Sequence, residues 1–185
     1  MRAEADRAGA EILFADGASV RTDFHAGTTW ALVGRTPVVT STGERKAIKM
    51  VSAVSAQGLL RFQIHEGSMN AKRFIVFLKT LLKDLDKPIF LVVDGSSVRK
   101  AKIVKKFVES TDGRLRLIFL PPYSPELNPD EWVWKNVKHD RIGRAVAQSV
   151  HDLKALAFSA LRRLQKSPNI IQGFFRDPSL TYTTA

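Results

Sequence analysis

Three acidic residues stand beside apolar segments in a chain that is otherwise strongly basic. Asp16 follows Glu11-Ile-Leu-Phe-Ala15, and Asp94 follows Ile89-Phe-Leu-Val-Val93. Glu131 follows the apolar run Leu115 to Leu120 and a rigid proline-rich turn, Pro121-Pro-Tyr-Ser-Pro-Glu-Leu-Asn-Pro129. In open α/β sheets, functional groups collect at the carboxyl ends of strands. Two carboxylates that meet there repel unless a cation sits between them. Mg²⁺ suits such a place, because it is hard and is usually held by a few carboxylates plus substrate phosphate oxygens. A pair of such ions roughly 4 Å apart activates a nucleophile and stabilises the leaving oxygen of a phosphodiester. The pattern therefore suggests divalent-metal chemistry on nucleic acid.

Each acid taken alone also reads as structural. Asp after a strand is a common turn residue. Asn128 reads as a helix cap and Pro129 as the first helical residue, which puts Glu131 at the third, a capping-box position. Asp130 competes with it, since acids near a helix N-terminus are favoured by the dipole.

The elements that must position these acids follow from periodicity. Residues 11 to 15 read as a short strand and residues 17 to 27 as polar and turn-like. Thr28 to Val33 reads as a further strand. Ala47 to Ala56 and Leu59 to His65 alternate as strands do, around a turn at Gln57-Gly58. Asn70 caps a helix whose apolar stripe is Phe74, Phe77, Leu78, Leu81, Leu82 and Leu85. Pro88 opens the strand to Asp94. A helix follows over Val98 to Glu109, then the strand Leu115 to Leu120, then the helix carrying Glu131. A last long helix starts at Ser149, with Asp152 in a capping box, and Pro168 ends it. Strands in hairpins, followed by strands alternating with helices, predict an α/β fold with a mixed sheet flanked by helices. One domain is expected over residues 1–185, its core at about 11–176, with frayed ends before about residue 10 and after about residue 177.

Charge narrows the partner. Lys and Arg number 29 against 18 Asp and Glu, a net charge of +11. A field of that size favours a polyanion, nucleic acid first and an anionic membrane second. The absence of cysteine excludes disulfides and thiolate zinc sites. The N-terminus is charged and carries no signal-peptide pattern, and the apolar runs are too short to span a bilayer. A cytoplasmic, nucleoid-associated protein with no membrane partner is expected.

At the acidic residues the chain resembles a known family. Phe14-Ala-Asp16, Leu91-Val-Val-Asp94 and Leu120-Pro-Pro-Tyr-Ser-Pro-Glu-Leu-Asn-Pro-Asp-Glu131, with Val133-Trp134 and Lys138, are similar to the DDE transposases of bacterial insertion sequences. The nearest group is the one related to the eukaryotic mariner elements, the IS six-thirty group. The resemblance runs from about residue 11 to 176 and includes His25-Ala-Gly-Thr-Thr-Trp30, Thr36-Pro-Val38 and Ala160-Leu-Arg-Arg-Leu-Gln-Lys166.

It implies a ribonuclease H-like fold. It also implies a catalytic, metal-binding triad at Asp16, Asp94 and Glu131, holding Mg²⁺ or Mn²⁺ as two ions. It selects Glu131 over Asp130 as the third ligand. The implied activity is DNA strand cleavage and strand transfer at the ends of an element, with DNA ends and target as partners and a homodimer in the DNA complex.

Three departures stand out. Members often carry Asp-Glu-Ala after the first strand, where this chain has Asp16-Gly17-Ala18. Members usually have His five residues after the second Asp, and here that residue is Arg99, which can hold a phosphate but not act as a base near neutral pH. The family's N-terminal helix-turn-helix module is not recognisable in the sequence, so a separate helix-turn-helix subunit is a possible partner.

Two basic clusters flank the acids and are expected to contact DNA. Arg99, Lys100, Lys102, Lys105 and Lys106 follow Asp94, and Lys135, Lys138, Arg141 and Arg144 follow Glu131. Such contacts position a phosphate backbone without reading sequence. Trp132 and Trp134 cannot share a helix face, so one is expected in the core and the other outside. His139 and His151 read as surface residues. The rival readings are a general ribonuclease H-like nuclease and a catalytically silent DNA-binding or dimerisation remnant of a transposase.

Overall fold

The computed structural model describes residues 1–24, 32–35, 46–139, 141–144 and 147–183. Five strands form one mixed sheet: β1 (Glu11–Arg21), β2 (Ala47–Val54), β3 (Leu60–Glu66), β4 (Ile89–Val93) and β5 (Leu115–Phe119). Their order across the sheet is β3-β2-β1-β4-β5. The first three pair antiparallel, while β4 and β5 run parallel to β1. This is the ribonuclease H-like arrangement that the sequence led us to expect.

Helices cover both faces. On one face lie α2 (Ala71–Asp84) and α3 (Lys102–Glu109), and on the other α4 (Asp130–Trp134), α5 (Val150–Gln165) and α6 (Pro168–Phe174). A short α1 (Arg2–Ala8) precedes β1. The two faces follow from the strand period of two. In β1, Leu13 and Ala15 pack against α2, whereas Phe14, Ala18 and Val20 pack under α4 and α5. The α2 stripe buries Phe74, Phe77, Leu78 and Leu81, each contributing roughly 1.5–3 kcal/mol. Asn70 caps α2 by accepting a bond from the Arg73 amide at 3.0 Å, and Ser149 caps α5 through the Asp152 amide at 3.0 Å.

The turn between β2 and β3 shows why a glycine is needed. Gly58 has φ of 92°, and a Cβ there would lie 2.7 Å from the Cβ of Pro168. The α6 helix therefore closes directly onto this hairpin.

Several expectations need correction. β1 does not end at Ala15: it runs on to Arg21, because β2 continues to pair with it after β4 has stopped. The helix expected over 98–109 begins only at Lys102, after a turn held by bonds from the Arg99 and Lys100 amides to the Ser96 carbonyl. Pro168 does not simply end the last helix but opens α6, as proline can at a first helical turn. Regular structure also extends beyond the expected core on both sides. Residues 2–8 are helical, and Pro178–Thr183 form a 3₁₀ segment with Leu180 buried. The strand expected at Thr28 to Val33 lies largely outside the described residues, and its last two, Leu32 and Val33, are exposed and not in a strand.

Candidate active site

The strand register brings the first two acids together. β1 and β4 pair Phe14 with Val92 and Ala15 with Val93. One step further puts Asp16 opposite Asp94. Asp16 falls on the same face of β1 as Phe14, the face under α4. Asp16 sits in mid-strand rather than at a strand end, and is 9% exposed. Asp94 lies one residue past the end of β4 and is more open, with its carboxylate accepting a 2.8 Å bond from the Ser96 amide.

The third acid arrives from α4, and its neighbours explain how. Asp130 is 0% exposed. Its carboxylate accepts the Asp16 amide at 2.8 Å and the Ser52 hydroxyl at 2.8 and 2.9 Å. Asn128 donates its side-chain amide to the Ala15 carbonyl at 3.3 Å and accepts the Asp130 amide at 3.1 Å. Together these bonds staple the start of α4 to the Ala15–Asp16 peptide of β1 and to Ser52 of β2. The capping-box reading of Glu131 does not hold: α4 has Pro129 at its N-cap position and no side-chain cap bond. The Glu131 side chain is left free to face Asp16.

The proline-rich turn is braced from the chain's far end. The Ser179 hydroxyl donates to the Glu126 carbonyl at 3.1 Å, and the Tyr182 hydroxyl donates to the Leu127 carbonyl. The sequence carried no signal for this brace. Asp130 and Asn128 were legible as polar residues near a helix start, but their pairing with β1 and β2 was not.

Glu131 senses the other two acids. Partial burial first, then the charge of Asp16, raises the Glu131 carboxyl above its usual range, with Asp94 adding to the rise and Lys138 opposing it. Complete burial, and then the nearby Asp16 charge, push Asp130 well above the ordinary carboxylate range despite its hydrogen bonds. For Asp94, burial acts to raise the carboxyl. The hydrogen bond and charge of Arg99, together with Ser96, outweigh it and hold the group below its ordinary value.

Arg99 stands between the first two acids. Its Nη2 lies 3.4 Å from Asp16 Oδ1, and its Nη1 pairs with Asp94 Oδ2. The residue is 6% exposed, with its guanidinium 5.8 Å from the centre of the Phe74 ring. Among the described residues, no three His, Asp or Glu side chains are placed as a ready metal-binding group. The donor chemistry nonetheless suits a hard divalent cation: Asp16 and Asp94 share one guanidinium, and Glu131 lies close enough for their charges to add to the rise that its partial burial causes. What fills the space between Asp16 and Asp94 is a guanidinium.

The other basic residues divide by location. Arg99 is committed to the acids instead of the surface. Lys102, Lys105 and Lys106 are exposed along α3, and Lys100 is exposed with its Nζ 5.7 Å from the Phe119 ring centre. Lys135 is exposed beside Trp132, its Nζ 4.3 Å from the ring centre, and Lys138 is half-buried beside Glu131. Arg141 is half-buried beyond the π-helical turn Lys135–His139. The side chain of Arg144 lies outside the described residues. Trp134 enters the core and Trp132 stays half-buried at its edge, as the two-residue spacing requires. His139 and His151 are exposed. The segments 25–30 and 36–38, which contributed to the family resemblance, lie outside the described residues.

Solved structures share the fold of this chain. The chain is similar to a pre-cleavage Mos1 transpososome (TM-score 0.65, 12% identity, covering 99% of this chain and 59% of that chain). It is also similar to the Mos1 mariner paired end complex with Mn (TM-score 0.63, 12% identity, 99% and 59%). A third likeness is to the catalytic domain of Mos1 mariner transposase (TM-score 0.62, 11% identity, 98% and 87%). The chain thus spans just under three-fifths of the chains in the first two. At identities this low the likeness is one of fold. No curated protein sequence matches the chain. The sequence model for the DDE superfamily endonucleases matches residues 11–154, most of the chain and all three acids, and the chain belongs to that family.

Proposed function

We propose that this chain is the catalytic domain of a mariner-related transposase of the IS six-thirty group, cutting DNA at the ends of an insertion sequence and joining the freed end to a target. The observation that carries the reading is the placement of Asp16 and Asp94 just past the last pairs of the parallel strands, joined by one guanidinium, with Glu131 near enough to feel both charges. These three carboxylates would hold Mg²⁺ or Mn²⁺. A divalent cation held there would neutralise phosphate charge and activate the attacking oxygen.

The rest follows from the chain's own residues. Asp130, Asn128 and Ser52 fix the relative positions of Asp16 and Glu131, so the ligands are arranged before DNA arrives. The exposed cations on α3, with Lys100 and Lys135, are placed to hold the phosphate backbone. No Ser or Tyr is placed as a nucleophile in this reading, so cleavage needs no covalent protein–DNA intermediate. DNA ends and target DNA are the partners, with a homodimer in the complex and an end-reading helix-turn-helix module supplied with or beside this chain. A silent DNA-binding module is favoured by one observation only, the guanidinium already pairing with two of the acids.

The test is a nicking and strand-transfer assay on an element end with Mg²⁺ or Mn²⁺. Asp94→Asn and Glu131→Gln should each lower the rate by about 100-fold or more, because a neutral amide keeps the shape and loses the attraction for the cation. Asp130→Asn should lower it far less. Equal damage from the Asp130 and Glu131 changes would remove Glu131 as the third ligand. Nicking without strand transfer would favour a general nuclease.

A further inference from the structure

We propose that Arg99 serves as a built-in cation that occupies the space between Asp16 and Asp94, and that a divalent ion enters by displacing it, so that Arg99 sets the metal affinity of the site. The inference rests on the reading of Asp16 and Asp94 as metal ligands.

The geometry carries it. One guanidinium reaches both carboxylates, Nη2 to Asp16 and Nη1 to Asp94. Its side chain is 7% exposed and that of Asp16 13%, so solvent screens this pair little, whereas the Asp94 carboxylate, 48% exposed, keeps one side open to solvent. The backbone is held by the bond from the Arg99 amide to the Ser96 carbonyl, in the same turn whose Ser96 amide binds Asp94. The ion pairs and the turn therefore form one unit. A guanidinium and a divalent ion cannot share the space between the same two carboxylates, because like charges at that separation repel strongly.

A second observation comes from Gly17. A Cβ built there would lie 3.8 Å from Arg99 Nη2 and 3.5 Å from the Met50 carbonyl oxygen. Any longer side chain at this position would start beside the guanidinium. The two departures from the family pattern inside the site, Gly17 and Arg99, thus meet at one point. A Glu at residue 17 would compete with Asp16 and Asp94 for the guanidinium, and a His at residue 99 is shorter and largely neutral at pH 7. Glycine and arginine together leave an acid pair that is neutralised from within. The cleft in front of Arg99 has a volume of about 420 Å³ and is lined by Gly17, Lys49, Ser68, Asp94 and Ser96. It gives the displaced guanidinium somewhere to go, on the side where a DNA phosphate could take it up.

The experiment is calorimetric titration of Mn²⁺ into the native chain, Arg99→His, Arg99→Gln, Arg99→Lys and Asp94→Asn, with circular dichroism to confirm folding and thermal melting in EDTA and in Mn²⁺. Arg99→His and Arg99→Gln should bind Mn²⁺ roughly ten-fold tighter or more than the native chain, whereas Arg99→Lys, which keeps the charge, should stay near native. In EDTA, Arg99→Gln should melt below the native chain, and Mn²⁺ should raise its melting temperature by more than it raises the native one. If Arg99→His and Arg99→Gln bind no tighter than native while Asp94→Asn abolishes binding, Arg99 does not compete with the ion, and the metal site stands without it. If no chain binds Mn²⁺ and Asp94→Asn changes nothing, both the inference and the metal reading of the acids are overturned.

Discussion

Asp130 and Glu131 are neighbours in sequence with opposite surroundings. Asp130 turns into the sheet, receives the Asp16 amide and the Ser52 hydroxyl, and sees no solvent. Glu131 turns toward Asp16 and Asp94 and keeps access to solvent. The first acts as a staple, the second as a candidate ligand. This difference has a measurable pH signature. Complete burial raises Asp130 well above its ordinary value, so the fold favours its neutral form. The stability this provides is complete below the ordinary carboxylate pKa and is lost as pH rises through the raised, folded-state pKa. Asn cannot ionise. Asp130→Asn should cost about 1 kcal/mol at low pH, where one acceptor oxygen is lost, and progressively less as pH rises above the ordinary carboxylate range toward the raised folded-state pKa. Urea unfolding of both chains across that range checks this; curves that stay parallel would mean that Asp130 does not carry the raised pKa.

At the scale of elements, the sequence revealed strands and helices better than their junctions. The period-two alternation in residues 47–54 and 60–66 and the α2 stripe are patterns of buried surface, and burial is what the sheet and helices satisfy. The end of β1 was misjudged for a physical reason. Gly17, Ser19 and Arg21 look like a turn, but they form the outward half of a strand that β2 keeps paired. Asp16 was therefore read at a strand end, when its real setting is mid-strand beside the point where β4 stops. The staple of α4 was illegible because its bonds join residues 78 to 114 positions apart. The brace from Ser179 and Tyr182 on the proline-rich turn was hidden in the same way, in a segment whose polar composition suggested fraying. The three acids stood out at the edges of apolar runs, but each alone read as structural, and it was the family resemblance that grouped them. The bridge from Arg99 was not legible, since an arginine among four lysines reads as one more surface cation.

Across the whole molecule, the net charge of +11 surrounds a cleft in which Asp16 and Asp94 are balanced by Lys49 and Arg99. The field attracts a polyanion, and divalent ions bound as proposed would let its phosphates approach the carboxylates. Lys102, Lys105 and Lys106 stand exposed on α3, the helix that follows the Asp94 turn. Replacing all three with Ala should weaken duplex binding and lower the slope of log affinity against log salt by up to about 3, since each phosphate contact releases roughly 0.9 of a counterion. A salt titration of both chains checks this, and an unchanged slope would place the phosphate backbone elsewhere.

The central claim is that Asp16, Asp94 and Glu131 are ligands of a divalent ion. The most direct measurement is anomalous diffraction from crystals of this chain soaked in Mn²⁺. The account predicts a manganese peak touched by the carboxylates of Asp16 and Asp94, with Glu131 turned toward it and the Arg99 guanidinium swung into the cleft. A map at saturating Mn²⁺ with no peak there, and with Arg99 still bridging the two aspartates, would contradict it.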